Sequence, residues 1–267
     1  MLRQRVITGV IVAPIALACV FLLPHVGFSI FVAAVLTVAA WEWAKLAGVS
    51  GVSRFIYAGV IAAVMVGAFF VPPLVLLSVS MVWWALALLL IITYPRLDEL
   101  WGHMAVILLI GVIVLVSGFV ALVDIKRLPD SSYLICLLFF LIWGADIGAY
   151  FSGKAWGESK LAPRVSPGKS WMGFSGGLVT SVLIAVLMAL YFGAPALNSM
   201  DGLIFLLACA GIAIISVVGD LSISMFKRHR DIKDSSGLLP GHGGFLDRID
   251  SLLAASPAFA LYLMMAN

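Results

Sequence analysis

Apolar residues fill this chain in runs of about 20, broken by short polar segments. A run of that length spans the hydrocarbon core of a bilayer when coiled as a helix. Barrel strands would alternate apolar and polar residues over about ten positions, and these runs do not alternate. The pattern predicts nine spans: Val6–Leu23, Val26–Leu46, Phe55–Val71, Leu74–Ile92, His103–Val123, Tyr133–Phe151, Gly173–Phe192, Leu203–Leu221 and Ser251–Met265. Pro72 and Pro73 punctuate the third and fourth, because the residue before a proline resists helix. The expected fold is an all-α integral membrane protein, a polytopic bundle of about nine transmembrane helices in one domain. Residues 1–132 would supply the N-terminal spans, and residues 133–267 a catalytic half with polar loops at 153–172 and 223–250.

Composition agrees. Hydrophobic residues make up 63% of the 267 and charged ones 11%, against about 25% charged in a soluble domain. A net charge of +3 is explained by membrane topology rather than by nucleic acid, because the bases lie between the apolar runs. Threading nine spans from a cytoplasmic N-terminus puts 14 of the 16 Lys and Arg on the cytoplasmic face and only Lys126 and Arg127 on the other. That asymmetry supports the count and the direction together. Arg3 and Arg5 before an apolar stretch resemble a signal peptide, but no small-residue cleavage site follows, which predicts a retained first helix. Cys19, Cys136 and Cys209 sit inside apolar runs with no metal-ligand spacing and are expected as small buried hydrophobes.

Candidate chemistry gathers in three polar elements. In the first, Asp220 closes an apolar span, where a carboxylate is costly without a partner. On a helix Asp220, Ser224, Lys227 and Arg228 share one face, a combination suited to a metal ion beside a phosphate. Bases that simply snorkel to anionic headgroups would explain Lys227 and Arg228 alone. The second element runs from Lys233 and Asp234 through His242, Gly243 and Gly244 to Asp247, Arg248 and Asp250. Its glycines allow backbone amides to approach an anion. Asp247 and Asp250, at i and i+3, can hold a divalent cation, or simply suit a helix N-terminus. His242 lacks a second histidine or cysteine nearby, which argues for a phosphate contact or a turn rather than zinc. The third element places Asp146 inside a span, followed by Lys160, Ser166 and Lys169 in a loop expected to have no strand. Gly168-Lys169-Ser170 is not a P-loop, because residue 163 is proline. Glu42, between Trp41 and Trp43, reads as an interfacial anchor.

The stretch Ser224-x-Phe226-Lys227-Arg228-x4-Lys233-Asp234-x-Ser236-x2-Leu239-Pro240-x-His242-Gly243-Gly244-Phe245-x-Asp247-Arg248-Ile249-Asp250 resembles the signature of phosphatidate cytidylyltransferases, the bacterial CDP-diacylglycerol synthases. The segment from Asp146 to Gly173 is similar to the family in its Asp-x3-Tyr, Gly-Lys-x2-Gly and Ser-Pro-x-Lys-Ser elements. Met172 stands where that family commonly has Glu or Gln. The resemblance implies Mg²⁺-dependent transfer of a cytidylyl group from CTP to phosphatidic acid, giving CDP-diacylglycerol and pyrophosphate. It also implies a homodimer in the bacterial inner membrane, among membrane lipids, with a polar cavity facing the cytoplasm. A second metal or a monovalent cation beside Mg²⁺ stays open.

The residues accommodate that reaction. Phosphoryl-group transfer is governed by positioning and charge neutralisation. Asp220, Asp247 and Asp250 would hold metal. Lys227, Arg228, Lys233 and Arg248 would offset phosphate charge, and Lys160 and Lys169 could hold CTP or the headgroup. A transporter would show internal repeats and acids near mid-span; the chain has no repeat, and most acids lie at the cytoplasmic end. The paired Asp-Gly and Ala-Arg pattern of CDP-alcohol phosphotransferases is absent. A catalytically silent paralogue is opposed by the intact signature, with Met172 its one support.

Overall fold

The computed structural model describes residues 14–192, 199–239, 241 and 243–266. Residues 14–22 are helical; residues 6–13 of the first expected span lie outside the described residues. Among the described residues, eight further helices are each long and apolar enough to cross a membrane. In chain order they are α1 (His25–Leu46), α2 (Ser53–Gly67, continued by a 3₁₀ turn at Ala68–Phe70), α3 (Pro73–Thr93), α5 (Met104–Arg127), α6 (Ser131–Trp156), α7 (Trp171–Phe192), α8 (Met200–His229) and α9 (Leu246–Ala266). A short α4 (Asp98–Trp101) lies between α3 and α5.

Burial divides the helices by role. In α5, Val114 to Val123 are buried without interruption, so this stretch of the helix is enclosed on all sides, and α5 packs on α1, α2, α3 and α9. Helices α2, α3 and α7 keep large apolar side chains such as Phe55, Leu89 and Leu187 exposed, as lipid-facing helices do. Between membrane helices, association depends on close approach of small residues. Gly173, Gly177, Ser181, Ala185 and Ala189 form the buried stripe of α7. A side chain at Gly177 would stand 2.6 Å from the carbonyl oxygen of Ala145 on α6.

An aromatic cluster ties the N-terminal helices to the end of α8. Phe226 meets Trp43 of α1 at 5.5 Å, Trp83 of α3 at 6.4 Å and Trp101 of α4 at 5.2 Å between ring centroids. The Trp43 indole N–H donates to the Ile107 carbonyl at 2.8 Å, which fixes this end of α1 against α5.

Two features depart from the sequence expectation. The expected strandless loop contains an antiparallel hairpin, β1 (Lys160–Ala162) with β2 (Ser166–Ser170), pairing Lys160 with Ser170 and Ala162 with Ser166. Burial of Ala162 and Val165 against the bundle stabilises it. The expected polar loop from residue 223 begins instead as the last turns of α8, which runs to His229. Ile223, Met225 and Phe226 are buried there, so the segment is an amphipathic extension with its polar face turned to the site.

Candidate active site

Helix α8 carries Asp220 nine residues before its end, about 13 Å below it along the axis. Ser224, one turn on, donates to Asp220 Oδ1 at 3.2 Å. Lys169, reaching from β2, meets Asp220 Oδ2 at 2.6 Å. Helix α9 is drawn against α8 at Gly219, where an added Cβ would lie 2.6 Å from the backbone carbonyl oxygen of Asp250. Only glycine permits that approach, and it sets Asp220 beside Asp250. Helix α9 begins four residues before Asp250, far short of the height α8 reaches. The two helix ends therefore leave a recess with carboxylates at its floor.

The 230–245 connection walls this recess, and two carboxyl groups hold it. Asp247 Oδ1 accepts from Lys227 Nζ at 2.8 Å. Its Oδ2 accepts from the Ser235 amide at 2.9 Å, the Ser235 hydroxyl at 3.0 Å and the Gly244 amide at 3.0 Å. The second group is Glu42 of α1, which is 0% exposed. It accepts from the amides of Phe245 at 3.0 Å and Leu246 at 2.6 Å, from the Ser235 hydroxyl at 3.1 Å, and from the Ser236 hydroxyl. An added Cβ at Gly244 would overlap Ser235 Oγ and lie 2.7 Å from Glu42 Oε1. Gly243 adopts φ +83°, and the Leu239 amide donates to its carbonyl at 2.9 Å, which closes the turn.

A cavity of about 700 Å³ opens beside these groups. Asp146, Asp220, Lys227, Asp247, Arg248 and Asp250 line its polar part. Phe28, Val32, Val35 and Leu36 of α1, with Phe139 and Ile142 of α6, line its apolar part. A smaller cavity of about 350 Å³ lies between α6, α7 and the hairpin, lined in part by Asp146, Lys154 and Lys169. Asp146 therefore faces both spaces, and Lys169 joins the smaller one to the recess through its contact with Asp220.

Residues 3–266 match the Cytidylyltransferase family. The chain belongs to that family. It is 49% identical to the phosphatidate cytidylyltransferase of Pseudomonas aeruginosa, over all of this chain and 98% of that one. It is 38% identical to the Haemophilus influenzae protein of the same name, over 98% of each chain. Against the phosphatidate cytidylyltransferase of Bacillus subtilis it is 32% identical, over 99% of this chain and 98% of the other.

Within this cytidylyltransferase the expected site residues fall into groups. Asp146, Asp220, Lys227, Asp234, Asp247, Arg248 and Asp250 all line the larger cavity. Lys169 and Ser224 hold Asp220, and Gly243 and Gly244 shape the turn. Arg228 is oriented differently from Lys227: its Nε donates to the Val165 carbonyl at 3.1 Å and anchors the hairpin. Lys160 and Ser166 sit on the hairpin strands, and Lys233 is exposed on the connection; none of the three lines either cavity. His242 lies outside the described residues. Met172 is 44% exposed at the start of α7 and lines neither cavity.

Sequence reasoning missed Glu42. It is not an interfacial anchor; it is buried and ties α1 to a loop some 200 residues away. The cost of a carboxylate within an apolar run was the available signal, and the flanking tryptophans obscured it.

Proposed function

We propose that this protein transfers the cytidylyl group of CTP to phosphatidic acid, leaving CDP-diacylglycerol in the membrane and releasing pyrophosphate. The observation that carries the reading is the two-part cavity. Its charged part, Lys227 and Arg248 among an excess of aspartates, suits a phosphate accompanied by a divalent cation, and its apolar part, formed by bilayer-spanning helices, suits the acyl chains of the same molecule.

The lipid phosphate oxygen attacks the α-phosphorus of CTP. The bond from that phosphorus to the bridging oxygen breaks, and pyrophosphate leaves with the electron pair. The nucleophile is already an anion, so no general base is needed. The obstacle is repulsion between two polyanions, and cations placed at the site relieve it. Lys227 and Arg248 face the cavity, and Lys169 stands at its junction with the smaller one. In this reading Lys169 trades its contact with Asp220 for a phosphate oxygen when substrate arrives.

The carboxylates fit a hard divalent cation such as Mg²⁺, which takes oxygen ligands and keeps several waters. Asp220 and Asp250, brought together at Gly219, are the best-placed holders, and Asp146 lines the same cavity. Asp247 is the least available of the expected ligands, because four donors already engage its two oxygens; its task here is to hold Lys227 and the connection. Bound Mg²⁺ would offset phosphate charge.

The excess of Lys and Arg on one face supports a cytoplasmic opening, and the bacterial relatives support a location in the inner membrane. A homodimer belongs to the same reading and rests on the family resemblance alone. The test is an assay of purified protein in detergent with phosphatidic acid, Mg²⁺ and CTP labelled in the cytidine. Mg²⁺-dependent label in the organic phase, lost in Asp220→Asn, is the expected result. No label from folded wild-type protein would refute the assignment.

A further inference from the structure

We infer that Glu42 is a positioning residue for the reaction, acting through the 235–247 segment on Asp247 and Lys227. The inference rests on the reading above for its kinetic arm only.

The geometry is specific. Glu42 comes from α1, in the N-terminal half, and its carboxyl group meets the first turn of α9 head-on. One oxygen accepts from the Phe245 amide and the other from the Leu246 amide. These are orphan donors of a helix N-terminus, which must find an acceptor when buried. The carboxyl group therefore caps α9 from a distant helix, in a position where negative charge also suits the helix dipole. Asp247 is the next residue after Leu246, so the cap fixes where Asp247 stands.

A second link runs through Ser235. Its hydroxyl lies 3.0 Å from Asp247 Oδ2 and 3.1 Å from Glu42 Oε2. A hydroxyl has one hydrogen to donate, so the two carboxyl groups share a single donor, and a change at one is felt at the other. Ser236 adds its own hydroxyl to Glu42, while the Leu238 amide donates to Ser236 Oγ at 3.1 Å. Ser235, Ser236, Phe245 and Leu246 all converge on this one buried side chain, which shares with Asp247 the task of holding the connection. On its far side, Trp43 is locked to Ile107 and Phe226, so Glu42 is held on a rigid support.

This arrangement makes Gln a poor substitute despite its equal size. Both Glu42 oxygens accept from backbone N–H groups. A Gln amide, turned either way, points an NH₂ at one of them and leaves a buried donor unpaired. If Glu42 merely filled volume, Glu42→Gln would behave as wild type.

The experiment compares wild type with Glu42→Gln by kinetics and by amide hydrogen exchange in detergent. The expected kinetic result is a fall in kcat of about a hundredfold, the scale of a misplacement near 1 Å. The KM for phosphatidic acid should stay within about twofold, because Glu42 is not among the residues lining the cavity. The expected exchange result is faster exchange confined to residues 235–247. Wild-type kcat in a folded Glu42→Gln protein, or unchanged protection of 235–247, would overturn the inference. If Glu42→Gln does not fold, Ser236→Ala carries the test, since it removes one of the four donors and keeps the carboxyl group. It should lower kcat about tenfold with the same local loss of protection; unchanged kcat overturns the inference. The exchange arm reads out whether or not the wild-type protein forms product, so failure of the proposed reaction and failure of Glu42 are told apart.

Discussion

Gly219 is the point at which the geometry of the site can be perturbed without touching a charged group. Changing it to alanine adds one methyl group facing α9. That Cβ would lie 2.6 Å from the Asp250 carbonyl oxygen, 2.8 Å from Ala254 Cβ and 3.2 Å from Ser251 Cα. Two of these three atoms are backbone and cannot swing aside. Relief to an ordinary contact near 3.4 Å requires α8 and α9 to part by about 0.8 Å. Overpacking of this kind costs about 1–3 kcal/mol, which a bundle of this size survives. The same opening separates Asp220 from Asp250, and a displacement near 1 Å costs about a hundredfold in rate. Gly211→Ala is the matched control. It lies on the same helix, is exposed, and has nothing within 4 Å of an added Cβ. The assay is label transfer into lipid, with thermal unfolding in detergent measured in parallel. Gly219→Ala should show a large loss of kcat with a modest loss of stability, and Gly211→Ala should match wild type in kcat. Wild-type turnover in Gly219→Ala would show that the approach of the two helices does not govern the site.

Lys169→Met removes the partner of Asp220 Oδ2, and activity should fall at least tenfold with the membrane helices intact by circular dichroism; an unchanged rate would make the pair incidental. Arg228→Lys loses the Nε contact to Val165, so limited proteolysis should cut the 160–170 hairpin faster than in wild type, and equal cleavage would remove its anchoring role. Val35→Phe narrows the apolar part of the larger cavity, which should raise the KM for long-chain phosphatidic acid more than for a short-chain form. Equal effects on both would place the acyl chains elsewhere. Chelation of divalent cations should abolish turnover and added Mg²⁺ restore it; full activity in excess chelator would exclude the metal from the reaction.

What was legible in the sequence was whatever hydropathy carries, because burial in lipid is a one-dimensional requirement. The spans α1, α2, α3, α5 and α7 fall within about four residues of their expected bounds, whereas α6 ends five residues later and α9 begins five residues earlier than expected. The upper end of α8 was legible only in part: the polar run put 223–250 among the loops, yet the shared helical face of Asp220, Ser224, Lys227 and Arg228 anticipated the turns that buried Ile223, Met225 and Phe226 continue to His229. The hairpin was hidden because strands of three and five residues carry too little alternation to register. The aspartates near the floor of the recess were visible because a carboxylate in an apolar run needs a partner. That rule applied equally to Glu42 but was outweighed by its tryptophan neighbours, and nothing local could name partners nearly 200 residues away.

Glu42 changes how the two halves of the chain relate. Counted by candidate site residues, everything lies after residue 132, and the first helices look like a membrane anchor. Yet the segment that carries the signature has few buried apolar groups of its own between Arg230 and Phe245, so hydrophobic burial cannot hold its shape. Its order comes from carboxyl groups, and one of the two is supplied by α1. The N-terminal helices also form much of the apolar wall of the larger cavity. Under the proposed reaction this arrangement has a purpose. A water-soluble triphosphate must meet a headgroup whose chains stay in the bilayer, and a recess reaching about 13 Å below the end of α8 brings that meeting to the membrane. A recess that deep exposes loop backbone to a low-dielectric wall, where every amide needs an acceptor. The buried carboxyl group of Glu42 meets that need at the start of α9, beside the residue that orients Lys227.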